Sequence, residues 1–334
     1  MNQLYERERR TWLYEWHRRL QTRAGNAALL WMARRYHRVP EGVGHRMGAR
    51  IGLAMRRISP RHWRIVMANL RLAFGDEKGE EELAEIGREC YRHLGKCLVE
   101  FFRMPAMSAE EMRRAAEFRG TEHLDAALAE GRGVILLTGH LGNWEMVGVR
   151  IAAEGYPLNV IARAQRDDRL TEYIRQTREV TGMRVLHRDQ SVRQSLRALR
   201  RNELVGVLLD QNAGDDGVFV DFFGRSASTA PGAAAFALRT GAVVVPTFGW
   251  RKPDDSHVVE IGEAVPLVKT GDRQKDILAN TARYTKVIEE QIRAHPEQWF
   301  WLHKRWKSRP ATSRPATSRP PAAQGGRGAA GQDA

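Results

Sequence analysis

Five short apolar runs are spaced through the second half of the chain: residues 133–138 (GVILLT), 157–162 (PLNVIA), 204–210 (LVGVLLD), 243–248 (VVVPTF) and 257–261 (HVVEI). Runs of this length bounded by turn residues predict buried strands, and the longer mixed segments between them predict helices. Residues 80–103 and 273–294 read as long helices. Strands alternating with helices imply an α/β fold with a central, mostly parallel or mixed sheet covered by helices. At 334 residues the chain can bury a sizeable core. The pattern divides it into a helical amino-terminal region at 1–115, an α/β core at 116–307 and a tail at 308–334. The tail repeats Ser-Arg-Pro-Ala-Thr before running into Gly, Ala, Gln and Asp, a composition expected to be disordered.

The first of these runs leads into chemistry. Residues 134–146 read VILLTGHLGNWEM, so a predicted strand delivers Gly139 and then His140. A residue leaving the carboxyl end of a strand in an open α/β sheet faces the crevice where ligands bind. Imidazole titrates near neutrality and can take a proton from a hydroxyl when a carboxylate fixes its tautomer. Glu145 is the nearest acid in sequence. Five residues along an ideal helix turn through about 500°, roughly 140° off the same face. The pair can therefore meet only if His140 precedes the helix and Glu145 lies in its first turns. Gly139 and Gly142 give the turn its freedom, and Asn143 can cap the helix or orient the imidazole.

The formal charge of +14 and pI of about 10.3 call for an anionic partner: nucleic acid, an acidic carrier protein or a membrane surface. No zinc-ligand spacing, RNA-recognition block or helix-turn-helix is present to support the first. In the first 67 residues arginines alternate with Trp12, Trp16, Leu29, Leu30, Trp31, Met32 and Met55, a mixture suited to helices in a lipid interface. The longest apolar stretch there, NAALLWMA, is far short of the ~20 residues that span a bilayer. With no signal-peptide pattern, the expectation is peripheral or monotopic attachment with the active face cytoplasmic. Cys90 and Cys97 lie seven apart on one predicted helix, too far for a disulfide, and read as reduced. Gly42, Gly44 and Gly48 follow no strand and do not match a dinucleotide fingerprint. No P-loop and no metal-ligand spacing is found.

The run TGHLGNWEM resembles the His-x4-Asp/Glu block of glycerolipid acyltransferases, most closely its form in the bacterial lipid A biosynthesis acyltransferases. Further blocks agree in order: IARAQRDDRL at 161–170, the segment 205–248, and PEQWFWLHKRWKSRP at 296–310. MANLRLAFGD and the segment ending GKCLVEFFRM are similar to the family's amino-terminal half, so the resemblance covers roughly residues 10–310. It implies transfer of a fatty acyl group from a carrier thioester to a lipid hydroxyl, with His140 as general base and Glu145 holding it. No cofactor or metal is implied, because a thioester is already activated. The donor carrier would be acyl carrier protein, with coenzyme A second. The acceptor would be an anionic glycolipid, foremost a lipid A precursor, with a phosphoinositide mannoside as alternative. Arg163 matches an arginine thought to meet phosphate. Asp210, followed by Gln211, ends a predicted strand and would face the cleft as a substrate-binding residue, with a helix or loop cap as the alternative. Arg225 would bind an anionic group, while Phe219, Phe222 and Phe223 suit either an acyl groove or an ordinary core. The competing class is a noncatalytic basic protein that binds membranes or nucleic acid.

Overall fold

The computed structural model describes residue 31 and residues 39–162, 167–187 and 190–310. Trp12, Trp16, Leu29, Leu30, Met32, Arg163 and the tail beyond residue 310 lie outside the described residues.

Three helices, α1 (Glu41–Ile58), α2 (Pro60–Phe74) and α3 (Glu80–Arg103), precede the short α4 (Ala109–Arg114) and the first strand. α1 packs on α3 along a stripe of small residues. A Cβ on Gly48 would come within 2.6 Å of the Gly95 carbonyl oxygen, and one on Gly52 within 1.8 Å of that of Tyr91. The glycines of EGVGHRMGARIG therefore serve a close helix crossing.

Seven strands follow: β1 (Ala116–Arg119), β2 (Val134–Thr138), β3 (Leu158–Ala162), β4 (Arg184–His187), β5 (Leu204–Leu208), and, after a β6 (Val218–Phe222) and β7 (Arg225–Thr229) hairpin, β8 (Val243–Arg251) and β9 (His257–Ile261). They form one sheet in the order β1-β9-β8-β2-β5-β3-β4, with the hairpin standing apart. Pairing is parallel except between β8 and β9. The fold is thus α/β with a mostly parallel sheet between helices. α5 (Thr121–Ala129), α6 (Trp144–Ala153), α7 (Asp168–Val180), α8 (Ser191–Arg200), α9 (Gly232–Thr240) and α10 (Arg273–Ala294) supply the crossovers and cover.

β2 occupies the centre and all five of its residues are buried, as a parallel strand covered on both faces requires. Its side chains alternate between two cores. Ile135 and Leu137 join Leu199 of α8, Ala237 of α9 and Ile288 of α10. Val134 and Leu136 join Leu124 of α5 and Val149 of α6 on the other side. Each such side chain stabilises the fold by about 1.5–3 kcal/mol when fully removed from water. Phe222 and Phe223, 0% and 5% exposed, belong to the first core and pack edge-on at 4.9 Å.

Candidate active site

β2 and β5 are neighbours, and the register pairs Thr138 with Leu208. That register carries the two chains out of the sheet side by side, so His140 and Asp210 leave the same edge together. The imidazole Nδ1 lies 2.8 Å from one Asp210 carboxylate oxygen. The other oxygen accepts from the His140 backbone N–H at 2.8 Å and from the Trp299 indole N–H at 2.7 Å. Asp210 is 1% exposed at its side chain and His140 22%. Burial opposes the charge on Asp210, but the adjacent imidazole and the three hydrogen bonds outweigh it and hold the carboxyl down at about 2. A carboxylate that stays charged beside Nδ1 fixes the ring proton there and leaves Nε2 as the acceptor. The Gln211 amide nitrogen lies 3.3 Å from Nε2. Trp144 and Phe300 flank the ring, with centroids 5.0 and 6.1 Å from it. Nε2 thus stands in a partly apolar recess beside the Gln211 amide.

Glu145 does not occupy the position the sequence suggested. His140 does precede α6, and Glu145 is in its first turn, as the spacing demanded. The Glu145 carboxylate turns away and forms a two-point pair with Arg178 of α7, at 2.9 and 2.6 Å. The Trp144 indole donates to it at 3.2 Å. The physical reason is that Asp210 already fills the Nδ1 side of the ring, while α7 brings a guanidinium to the helix entrance. Glu145 therefore fastens the His-x4-Glu helix to its neighbour.

Arg225 is not brought to His140 either. Its Nε donates to the carbonyl of Leu72 at the end of α2, 2.7 Å away.

Gly142 and Asn143, which the sequence offered for the turn and the helix cap, hold the His140 turn together with residues that it did not single out. Gly142 has φ of +55°, and a Cβ there would sit 1.9 Å from the Gly249 carbonyl oxygen, so only glycine fits. Its N–H donates to the Gln298 carbonyl at 3.0 Å. Asn143 caps α6 by accepting from the N–H groups of Glu145 and Met146, and its own amide donates to Glu100 of α3 at 2.7 Å. Glu100 is 5% exposed, paired at both oxygens with Arg251 at 2.6 Å and contacted by His45 and His257 at 2.8 and 3.0 Å. Its burial opposes ionisation, yet these cationic and hydrogen-bonding neighbours hold its carboxyl well below the ordinary range. The amino-terminal helices are thereby joined to the turn between His140 and α6 through one buried carboxylate.

On the opposite side, Arg305 is fully buried and donates to the Ser228 carbonyl and, at 2.5 Å, to the Thr229 hydroxyl, with its guanidinium 4.8 Å over Phe222. Burial pulls it down to about 10 against the attraction of Asp210, so it stays charged at neutral pH. The segment 299–305 is pinned at four more points. The Phe300 N–H donates to the His140 carbonyl at 2.9 Å, and the Asn69 amide donates to the carbonyls of Trp301 and His303 at 2.8 and 2.6 Å. Cys90 is buried, and its thiol donates to the Trp299 carbonyl at 3.2 Å.

The model of the family described as bacterial lipid A biosynthesis acyltransferase matches residues 13–308. The chain belongs to that family. Acyltransferase activity follows for this member, and the His140 site is where the family's His-x4-Glu block lies in three dimensions. The chain is 29% identical over 218 residues to the phosphatidylinositol mannoside acyltransferase of Mycobacterium tuberculosis, covering 64% of this chain and 67% of that one. It is 26% identical over 275 residues to the lipid A biosynthesis lauroyltransferase of Escherichia coli, covering 81% and 88%. Among solved structures it aligns with the 1-acyl-sn-glycerophosphate acyltransferase of Thermotoga maritima at 12% identity and a TM-score of 0.36, over 78% of this chain and 99% of that one. That likeness is too distant to transfer any geometry.

Proposed function

We propose that this glycolipid acyltransferase moves a fatty acyl group from an acyl carrier thioester to a hydroxyl of a lipid A precursor, with His140 as general base and Asp210 as its orienting carboxylate. The observation that carries the reading is the His140–Asp210 contact at 2.8 Å, with the second ring nitrogen left as acceptor at the sheet's carboxyl edge. Nε2 takes the proton of the acceptor hydroxyl as its oxygen attacks the thioester carbonyl. The new C–O bond forms, the C–S bond breaks, and the proton passes from the imidazolium to the departing thiolate. General-base assistance of this kind is worth about 10² to 10⁴ in rate. Asp210 stabilises the transient imidazolium. Trp144 and Phe300 exclude water that would hydrolyse the thioester.

A second acceptor, a mannosylated phosphoinositide, is favoured by the 29% identity to the mycobacterial relative. Supplying acyl carrier thioester with each glycolipid in turn, and identifying the acylated product by mass, decides between them. Product on the mannoside alone would overturn the lipid A assignment, and product on neither would overturn both.

The proposed location is the cytoplasmic face of a bacterial inner membrane, by surface attachment. Among the described residues no helix is long and apolar enough to cross a membrane. α1 exposes Val43, Met47, Met55 and Ile58, the last at 81%. Val43, Met47 and Ile58 recur at helical spacing on one side, with the exposed Arg50 and Arg57 beside them. Such a face can lie in an anionic lipid interface.

A further inference from the structure

A groove of about 440 Å³ lies between α2 and the carboxyl-terminal segment, lined by Arg61, Arg64 and Ile65 on one wall and Lys304, Trp306 and Lys307 on the other. All four cations are exposed. Elsewhere on the surface arginines are commonly paired, as in Arg71 with Glu80 and Arg175 with Glu172. Among the described residues, none of these four forms an ion pair with a carboxylate. Two cation pairs, each three residues apart, thus face each other across apolar surface. The groove extends along α2 to Leu72, eleven residues or about 16 Å from Arg61, where Arg225 reaches the Leu72 carbonyl. A single phosphate would use one end of such a row. An acidic helix, with carboxylates at the same spacing, would meet its whole length.

The groove is also close to the base. The Phe300 N–H is bonded to the His140 carbonyl, and Lys304 follows four residues later, at most about 14 Å along the chain. Arg305, between the two lysines, is locked into the fold by Ser228 and Thr229, so the lysines stand on a fixed segment.

We propose that this groove is the docking surface for the donor's acidic carrier protein, placing it where a thioester on its prosthetic arm reaches His140. The inference rests on the carrier-thioester reading above and adds the surface that recognises the protein part of the donor.

The test uses the full chain and a labelled bacterial acyl carrier protein in its apo form, without the phosphopantetheine arm, so only protein surfaces meet. Wild-type protein should bind it, and both 0.5 M salt and the pair Arg64→Glu with Lys304→Glu should weaken binding about tenfold or more. The same variant should keep wild-type turnover of an acyl-coenzyme A donor, which shows that it is folded and its site intact. No binding by the wild type, or binding unchanged by charge reversal, would overturn the inference. So would equal loss with acyl-coenzyme A, or loss of binding to vesicles of phosphatidylcholine and phosphatidylglycerol with carrier binding intact, which would assign the groove to lipid. If no donor supports acyl transfer, the functional reading fails, while the apo-carrier titration still decides the docking surface, with circular dichroism then showing that the variant is folded.

Discussion

Replacing Asp210 with asparagine removes one charge and almost no volume from the centre of the site. The carboxyl is held near 2 against an ordinary 3.8 by the adjacent imidazole and its hydrogen bonds, which outweigh burial. The charge on Asp210 stabilises the imidazolium that forms as Nε2 takes the proton, so removing it lowers the rate. An amide can also donate to Nδ1, which moves the ring proton to Nε2 and abolishes the base. The expected loss in kcat/KM is therefore about 10² to 10⁴. The assay is transfer from a labelled carrier thioester, run on wild type, Asp210→Asn, His140→Ala and the double variant. Because the two side chains act as one unit, the double variant should be no slower than His140→Ala. Losses that multiply in the double variant, or an Asp210→Asn enzyme within about threefold of wild type, would refute the argument. The pH dependence has a fixed sign. The folded carboxyl is depressed, so its stabilisation is complete above 3.8 and vanishes as pH falls through about 2.

Other outcomes follow from the same geometry. Glu145→Gln and Arg178→Gln should each destabilise the protein by about 1–3 kcal/mol by stranding a half-buried charge. The double variant should be less destabilised than the two losses added together, as read from urea midpoints; strict additivity would mean the pair is not coupled. His93 is pushed down to about 3, first by burial and then by Arg251, so the unfolded chain gains its proton below 6.5 while the folded chain does not. Stability should accordingly fall as pH drops from 6.5 toward 3, by up to about 1.4 kcal/mol per pH unit from this residue, and His93→Gln should flatten that slope in denaturation at stepped pH. Met47→Glu with Ile58→Glu should reduce co-sedimentation with anionic vesicles severalfold without lowering the melting temperature; unchanged sedimentation would remove α1 from the proposed membrane face.

Much of this architecture is legible in the residues themselves. The apolar runs at 133–138 and 204–210 become β2 and β5, and the segments at 80–103 and 273–294 become α3 and α10 at the expected bounds. His140 stands at the strand edge because a buried run followed by Gly-His leaves it nowhere else to go. The partner of His140 was not legible from proximity. Asp210 lies 70 residues away, and in a parallel sheet neighbouring strands are separated by whole crossovers whose spatial order the chain does not announce. One signal was available: both residues follow a fully apolar run by one or two positions, so pairing those runs in register brings them together. Glu145 drew the assignment through sequence nearness, whereas α7 supplies Arg178 from 33 residues on. Arg225 followed the same course, since its pairing with the end of α2 depends on how a hairpin docks on a helix. The phenylalanines at 222 and 223 admitted two readings, and burial places them in the core. Glu100, Arg251 and Arg305 were hidden for a more general reason. A buried charge is identified by its partners, and all of theirs come from other parts of the chain.

The measurement that bears most directly on the central claim is a single turnover of carrier-bound acyl group onto the glycolipid acceptor by purified wild-type protein and His140→Ala side by side. The account predicts acylated glycolipid from the wild type and a loss of at least about 10² in the variant, with both proteins folded and binding lipid alike. Transfer at the wild-type rate by folded His140→Ala would contradict it.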